Sequence, residues 1–211
     1  MHITVSEFKP NDFSVTLLKT LEAGGIVNPV LFGGAVRDQF LKIPDKIKDY
    51  DVWADFGSLL GEDIYLESDI PQHISDKILE VLPGAALKCI EGFDRGKETD
   101  FIAIKLILDY QGEEVSLFVN NRPQEAHEKI HGDAPINAVV MDAKGVVYAH
   151  PSFEDHVGQK IYEPFPYVSQ DVAEARYTHL KAKIPELQHM GNQMVVSVDR
   201  LSASATLKTA F

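Results

Sequence analysis

The stretch Lys48-Asp49-Tyr50-Asp51-Val52-Trp53-Ala54-Asp55-Phe56 alternates strictly when read as a strand. Tyr50, Val52, Ala54 and Phe56 then share one face, and Asp49, Asp51, Trp53 and Asp55 share the other. Asp49 and Asp51 point the same way from Cα atoms roughly 6.5 to 7 Å apart, close enough for their carboxylates to converge on a hard cation. Mg²⁺ suits such a pair, since it prefers oxygen ligands and is typically held by one or two carboxylates together with substrate phosphates. Two such ions can activate an attacking hydroxyl and stabilise a leaving pyrophosphate. Taken alone, Asp-x-Asp also describes a solvated strand face in an acid-rich chain.

A glycine pair stands upstream. Val30-Leu31-Phe32 is a short apolar run ending in Gly33-Gly34, and a helical pattern through Val36 and Phe40-Leu41 follows and stops before Pro44. Without side chains in the way, the amides of such a turn can approach a triphosphate. A glycine pair at a strand end is also often no more than a turn. Arg37 and Asp38 fall in the first turn of the helix, so the order is strand, glycine turn, helix, carboxylate strand.

Leu31-Phe32-Gly33-Gly34-Ala35-Val36-Arg37-Asp38-Gln39-Phe40-Leu41, followed by Asp49-Tyr50-Asp51, resembles the head-domain signature of the tRNA CCA-adding enzymes and bacterial poly(A) polymerases, in the polymerase β nucleotidyltransferase superfamily. Gly132-Asp133-Ala134-Pro135-Ile136-Asn137-Ala138 is similar to that family's Arg-Arg-Asp-Phe-Thr-Ile-Asn-Ala motif, and Pro151-Ser152-Phe153-Glu154-Asp155 to its later acidic turn. The resemblance spans about 30–161. It implies that Asp49 and Asp51 hold catalytic Mg²⁺ or Mn²⁺, and that Gly33 and Gly34 line the triphosphate of an NTP substrate. Arg37 and Asp38 would brace the turn or approach phosphate, and Asp133 and Asn137 would join the nucleotide site. Glu114 is the best match to the family's third acid, with Glu113 behind it; a third carboxylate completes a metal cage or accepts a proton. Glu114 also reads as an exposed acid in a hairpin turn.

The chain departs from the family in its cations. His131-Gly132 stands where the family has paired arginines, and Val119 where it has an arginine after the acidic strand. In the neck, Asp171, Arg176, His179 and Lys183 make a loose match, and the body and tail domains that hold tRNA have no counterpart in these 211 residues. The resemblance implies a minimal nucleotidyltransferase whose hydroxyl acceptor is a tRNA 3′ end, a small molecule or a protein. The alternative is a silent nucleotide-binding or interaction module of the same fold. A rival motif, His127-Glu128-Lys129-Ile130-His131, satisfies the zinc-peptidase pattern H-E-x-x-H. Its context is poor: Pro123 and Gly132 leave barely two helical turns, and no third ligand follows at the expected spacing.

The elements that would position these residues are legible in outline. Phe13, Leu17, Leu18 and Leu21 recur at helical spacing after Asn11-Asp12 and stop at Gly24-Gly25, and a further helix is expected from about Gln72 to Leu82. Phe101–Asp109 and Glu114–Val119 read as one antiparallel hairpin, and Asn137–Met141 with Val146–Ala149 as a second. Residues 172–183 are weakly helical, and Val195–Val198 is strand-like within a Ser/Thr/Ala-rich end whose role is unassigned. The expected fold class is α/β (α+β), a polymerase β-like head with a mixed or antiparallel sheet flanked by helices. The head would occupy 1–165, with a short helical neck-like segment and tail over 166–211.

Composition sets the partners. With 45% apolar and 25% charged residues the chain is an ordinary globular protein, and the single Cys89 cannot form an internal disulfide. No basic, apolar leader opens it and no stretch approaches a membrane span, so a cytoplasmic protein without membrane partners is expected. Twenty Lys and Arg face 32 Asp and Glu, a net charge of −12. Residues 1–50 hold six of each sign and 170–211 hold five basic and four acidic, so 51–169 carry nine basic against 22 acidic. That surface would repel a long polyanion and accommodate a mononucleotide with its own Mg²⁺.

Overall fold

A computed structural model describes residues 2–5, 8–56, 70–95, 102–121 and 124–190. In chain order the elements are β1 (Ile3–Val5), α1 (Asp12–Ala23), β2 (Val27–Phe32), α2 (Gly34–Phe40), β3 (Tyr50–Asp55), α3 (Ile70–Val81), β4 (Ala86–Arg95), β5 (Ile102–Tyr110) and β6 (Glu113–Asn120). They continue with β7 (Val139–Asp142), β8 (Val147–Ala149), α4 (Phe153–Gln159), β9 (Ile161–Tyr162), α5 (Gln170–Lys183) and β10 (Gln188–His189). Eight strands form one sheet in the order β1-β8-β7-β2-β3-β6-β5-β4. β3 and β6 run parallel, while the other neighbours in this sheet are antiparallel. The class is therefore α+β.

Period-two alternation decides which face of the sheet is dry. Met141, Leu31, Val52, Leu117 and Leu106 stand side by side across five strands, all fully buried. Burying each such side chain contributes about 1.5–3 kcal/mol, so a one-residue slip of β3 would forfeit several of these at once. Helices α1 and α3 join this core through Leu17, Leu18 and Leu21 and through Ile70, Ile74 and Ile78, and the Phe13 ring meets that of Tyr50 at 4.5 Å. Asn11 caps α1 by accepting a bond from the Ser14 amide at 2.8 Å. The helix ends at Gly24, where a Cβ would lie 2.2 Å from Val81 Cγ1. By the same alternation Asp51, Trp53 and Asp55 face the other side.

Asp55 is fully buried there by the segment 124–131. Its Oδ2 accepts from Lys129 Nζ at 2.8 Å and from the Gln124 amide at 3.0 Å, and the Lys129 ammonium also donates to the Asn28 carbonyl at 2.7 Å. Burial pushes the Lys129 ammonium below its ordinary value, against the opposing pull of Asp55. A buried pair of this kind ties a segment down, and its loss leaves a naked charge.

Both expected hairpins form, within two residues of their expected limits, and the helix expected from about Gln72 is α3. The ten-residue β4 has no clean sequence signal. It is an edge strand, and its register against β5 shifts between Leu87 and Cys89 and again between Glu91 and Phe93, which destroys the alternation. Residues 126–129 form a 3₁₀ turn rather than a helix, with Glu125 and Glu128 closing a capping box. The strand-like run Val195–Val198 lies outside the described residues. Among the described residues no helix is long and apolar enough to cross a membrane.

Replacing Lys129 with Met should destabilise the protein by about 3–5 kcal/mol in urea unfolding, because Asp55 is left charged and buried. Adding Asp55→Asn to that variant should recover a substantial part of the loss.

Candidate active site

A cleft of about 770 Å³ opens where the β2–α2 turn, the start of β3, the loop 131–137 and α5 meet. Gly33, Gly34, Arg37, Asp49, Asp51, Asp133 and Asn137 all line it. The structure thus gathers in one place residues drawn from both motifs singled out in the sequence.

The turn is built around Gly33, whose φ of 63° and ψ of −125° suit glycine alone. Its amide donates to the Val139 carbonyl at 3.0 Å, which ties the turn to β7. A Cβ at Gly33 would meet nothing within 4 Å, so the requirement is conformational. Gly34 has no such backbone demand; a Cβ there would lie 3.6 Å from Arg37 Nη2.

Beneath the turn runs a chain of charge-assisted hydrogen bonds. Arg37, only 3% exposed, donates through Nε at 2.7 Å and through Nη2 to Oδ1 of the fully buried Asp38. Asp38 Oδ2 accepts from Lys183 Nζ of α5 at 3.0 Å. Arg37 Nη1 donates to Asn137 Oδ1, Asn137 Nδ2 to Asp133 Oδ1 at 2.7 Å, and the Tyr162 hydroxyl to Asp133 Oδ2 at 2.8 Å. Burial, reinforced by that bond to Asp133, holds the Tyr162 phenol well above its ordinary pKa. Asp38 lies under the cleft rather than on its lining, so its contacts are those of a brace.

Asp49 and Asp51 face this assembly. Burial and then the charge of Asp49 push the Asp51 carboxyl up to about 6, against the opposing pull of Lys105, Arg176 and Lys183. Across the cleft, Arg176, His179 and Lys183 occupy one face of α5 by their i, i+3, i+7 spacing, and Lys48 adds a further cation. His179 is pushed below its ordinary pKa by burial and then by Lys183, Lys48, Arg37 and Arg176, which registers the positive field of that wall.

Glu114 is not brought to the cleft. It sits at the β5–β6 hairpin end, exposed and paired with Lys88 at 2.9 Å, while Ser116 takes the position beside Asp51 in β6. Glu113, the second choice, also lies at the hairpin end, opposite Tyr110. The two histidines of His127-Glu128-Lys129-Ile130-His131 do not share a helical face: His127 stacks on His2 at 4.5 Å, whereas His131 lies 5.8 Å from the Trp53 ring and lines the cleft. Among the described residues no three His, Cys, Asp or Glu form a metal cage. The crowded carboxylates of Asp49 and Asp51 fit a cation whose remaining ligands are water and phosphate oxygens.

Sequence reasoning did not single out Lys48, Tyr167 or Val172, which also line the cleft. The spacing of Arg176, His179 and Lys183 carried a signal of a cationic helix face; Tyr167, in a loop, carried none.

The fold is shared with solved structures of other proteins. Three are CCA-adding enzymes: apo form I (TM-score 0.53, 13% identity, covering 84% of this chain and 39% of that one), apo form II (0.51, 12%, 90% and 45%) and a complex with CTP (0.50, 13%, 84% and 39%). The chain thus spans less than half the length of each. No protein-family model matches the sequence, and no curated protein matches it.

The raised Asp51 pKa has a definite stability consequence. The folded state holds its proton up to about pH 6 and the unfolded chain only to about 4, so without divalent cations stability falls as pH rises between those values. Asp51→Asn should therefore leave stability near pH 4 unchanged and raise it by about 1–3 kcal/mol above pH 6, seen as a Tm several degrees higher at pH 7.5.

Proposed function

We propose that this chain is a Mg²⁺- or Mn²⁺-dependent nucleotidyltransferase that binds a nucleoside triphosphate and passes its nucleotidyl group to a hydroxyl. The observation that carries this reading is the meeting, in one cleft, of a glycine turn, two carboxylates, Asp49 just before β3 and Asp51 within it, and a cationic helix face. The polymerase β-like fold and the head and neck-like divisions at 1–165 and 166–211 belong to the same proposal.

Gly33 and Gly34 keep the entrance to α2 bare, and first-turn amides of a helix lack intrahelical acceptors, so they are available to phosphate oxygens. Lys48, Arg176 and Lys183 offset the charge of the triphosphate from the opposite wall. Asp49 and Asp51 would hold the divalent cation, which when bound polarises the phosphoryl oxygens and lowers the pKa of the attacking hydroxyl. Arg37, Asn137 and Asp133 hold the turn and the loop 131–137 in register. In the transfer, the acceptor oxygen bonds to the α-phosphorus, the bond to the pyrophosphate oxygen breaks, and the hydroxyl proton leaves to solvent. A CCA-adding enzyme that shares the fold has been solved with CTP, which supports an NTP as the donor. The acceptor is a tRNA 3′ end, a small molecule or a protein hydroxyl, and the acid excess of 51–169 disfavours a long nucleic acid.

One observation favours the second reading, a nucleotide-binding module without transfer: Glu114, the match to the family's third acid, is engaged by Lys88 and does not line the cleft. Incubation with each α-labelled NTP, Mg²⁺ and a panel of tRNA, small-molecule and protein acceptors separates the two. Transfer that falls at least a hundredfold in both Asp49→Asn and Asp51→Asn is expected, a loss of about 2.7 kcal/mol or more in transition-state stabilisation. Activity that survives both substitutions overturns the carboxylate mechanism, and metal-dependent NTP binding without transfer establishes the second reading.

Gly33→Ala should lower Mg²⁺-dependent NTP affinity and cost about 1–3 kcal/mol of stability through backbone strain. Gly34→Ala should leave the melting temperature nearly unchanged, which differential scanning calorimetry on both variants checks.

A further inference from the structure

Three large apolar side chains stand out as exposed among the described residues, Tyr167, Val172 and Met190, and two of them line the cleft. Tyr167 is 75% exposed, yet it is held on two sides. Its ring stacks on Phe165 with centroids 5.4 Å apart and planes at 22°, and Phe165 in turn packs edge-on against His150 at 5.3 Å. Its hydroxyl donates to the Gly132 carbonyl at 2.8 Å. The backbone around it is fixed as well, by the Phe165 amide on the Asp133 carbonyl at 2.8 Å and the Val168 amide on the Phe165 carbonyl at 3.0 Å.

A free surface tyrosine gains rotamer entropy and hydration by swinging into water, so a ring pinned at both ends is held against that tendency. One π-face is covered by Phe165 and the other is open at the cleft mouth. Val172, 48% exposed in the first turn of α5, adds an apolar wall, and Arg176 follows one turn later on the same side. The residue that anchors the hydroxyl, Gly132, lies between the glycine turn and Tyr167 through the loop 131–137, so the platform and the phosphate end of the cleft belong to one braced unit.

Resting on the nucleotidyltransferase reading above, we infer that the open face of Tyr167 is the platform on which the nucleobase of the bound triphosphate stacks, with Val172 beside it. Every base has a π-face, so this mode of recognition accepts all four bases. Selection among them by hydrogen bonding is not what an aromatic face and a valine provide.

The test is calorimetric binding of ATP, GTP, CTP, UTP and inorganic tripolyphosphate, each with Mg²⁺, to the full chain and to Tyr167→Ala and Tyr167→Phe. Each NTP is expected to bind the native chain about tenfold or more tighter than tripolyphosphate, the advantage that one base on an aromatic ring supplies. Tyr167→Ala should erase most of that advantage while leaving tripolyphosphate affinity within about twofold, its melting temperature lower by only a few degrees through loss of the Gly132 bond and the Phe165 contact, and Tyr167→Phe should keep most of the advantage. An NTP advantage that persists in Tyr167→Ala, or tight binding confined to one NTP, overturns the platform and leaves the triphosphate site standing. If neither NTPs nor tripolyphosphate bind the native chain, the nucleotide reading of the cleft falls and the platform falls with it.

Discussion

The cleft depends on one buried carboxylate. Asp38 is fully enclosed and meets Arg37 on one oxygen and Lys183 on the other, so a single anion joins the helix that follows the glycine turn to the helix that forms the opposite wall. A buried carboxylate with two cations is tolerable where alternatives are not, because removing either cation would strand its charge. The same arrangement fixes Arg37 so that its remaining donor reaches Asn137, and through Asn137 the loop that carries Asp133. Turn, loop and helix wall are therefore positioned together.

Charge is partitioned along the chain and recombined in space. The acid excess lies within 51–169, whereas the cations lining the cleft come from the first fifty residues and from α5. An overall charge of −12 therefore coexists with a local positive wall facing Asp49 and Asp51. Burial sharpens the contrast: Asp51 is pushed up and His179 is pushed down, each by its own surroundings, across one cavity. A ligand carrying both phosphates and divalent cations answers both imbalances at once.

Much of this was legible in the residues themselves. The alternation of 48–56 put Asp51 on the side of β3 away from the core, while Asp49 precedes the strand, and the glycine pair after an apolar run gave a strand-turn-helix unit with Gly33 in a conformation suited to glycine. What sequence could not disclose was pairing over distance. Glu114 looked like a third acid because its strand has the right neighbours, but hairpin register carries it to Lys88. Of the two roles open to Asp38, bracing the turn or approaching phosphate, its full burial fits the first. The edge strand β4 escaped because two register shifts erase the period on which strand recognition rests.

The parallel pairing of β3 with β6 has a consequence for how the protein is made. Two antiparallel strands can close through a short turn, but a parallel partner arrives only after the chain has travelled out and back, here through α3, β4 and β5. The ion pair between Lys183 and Asp38 closes a loop longer still, its ends 145 positions apart in sequence. Contacts of such separation are late events in folding, since their loop entropy must be overcome before they contribute. A growing chain thus carries its glycine turn and carboxylates early but has no second wall until α5 emerges, more than 130 residues after that turn.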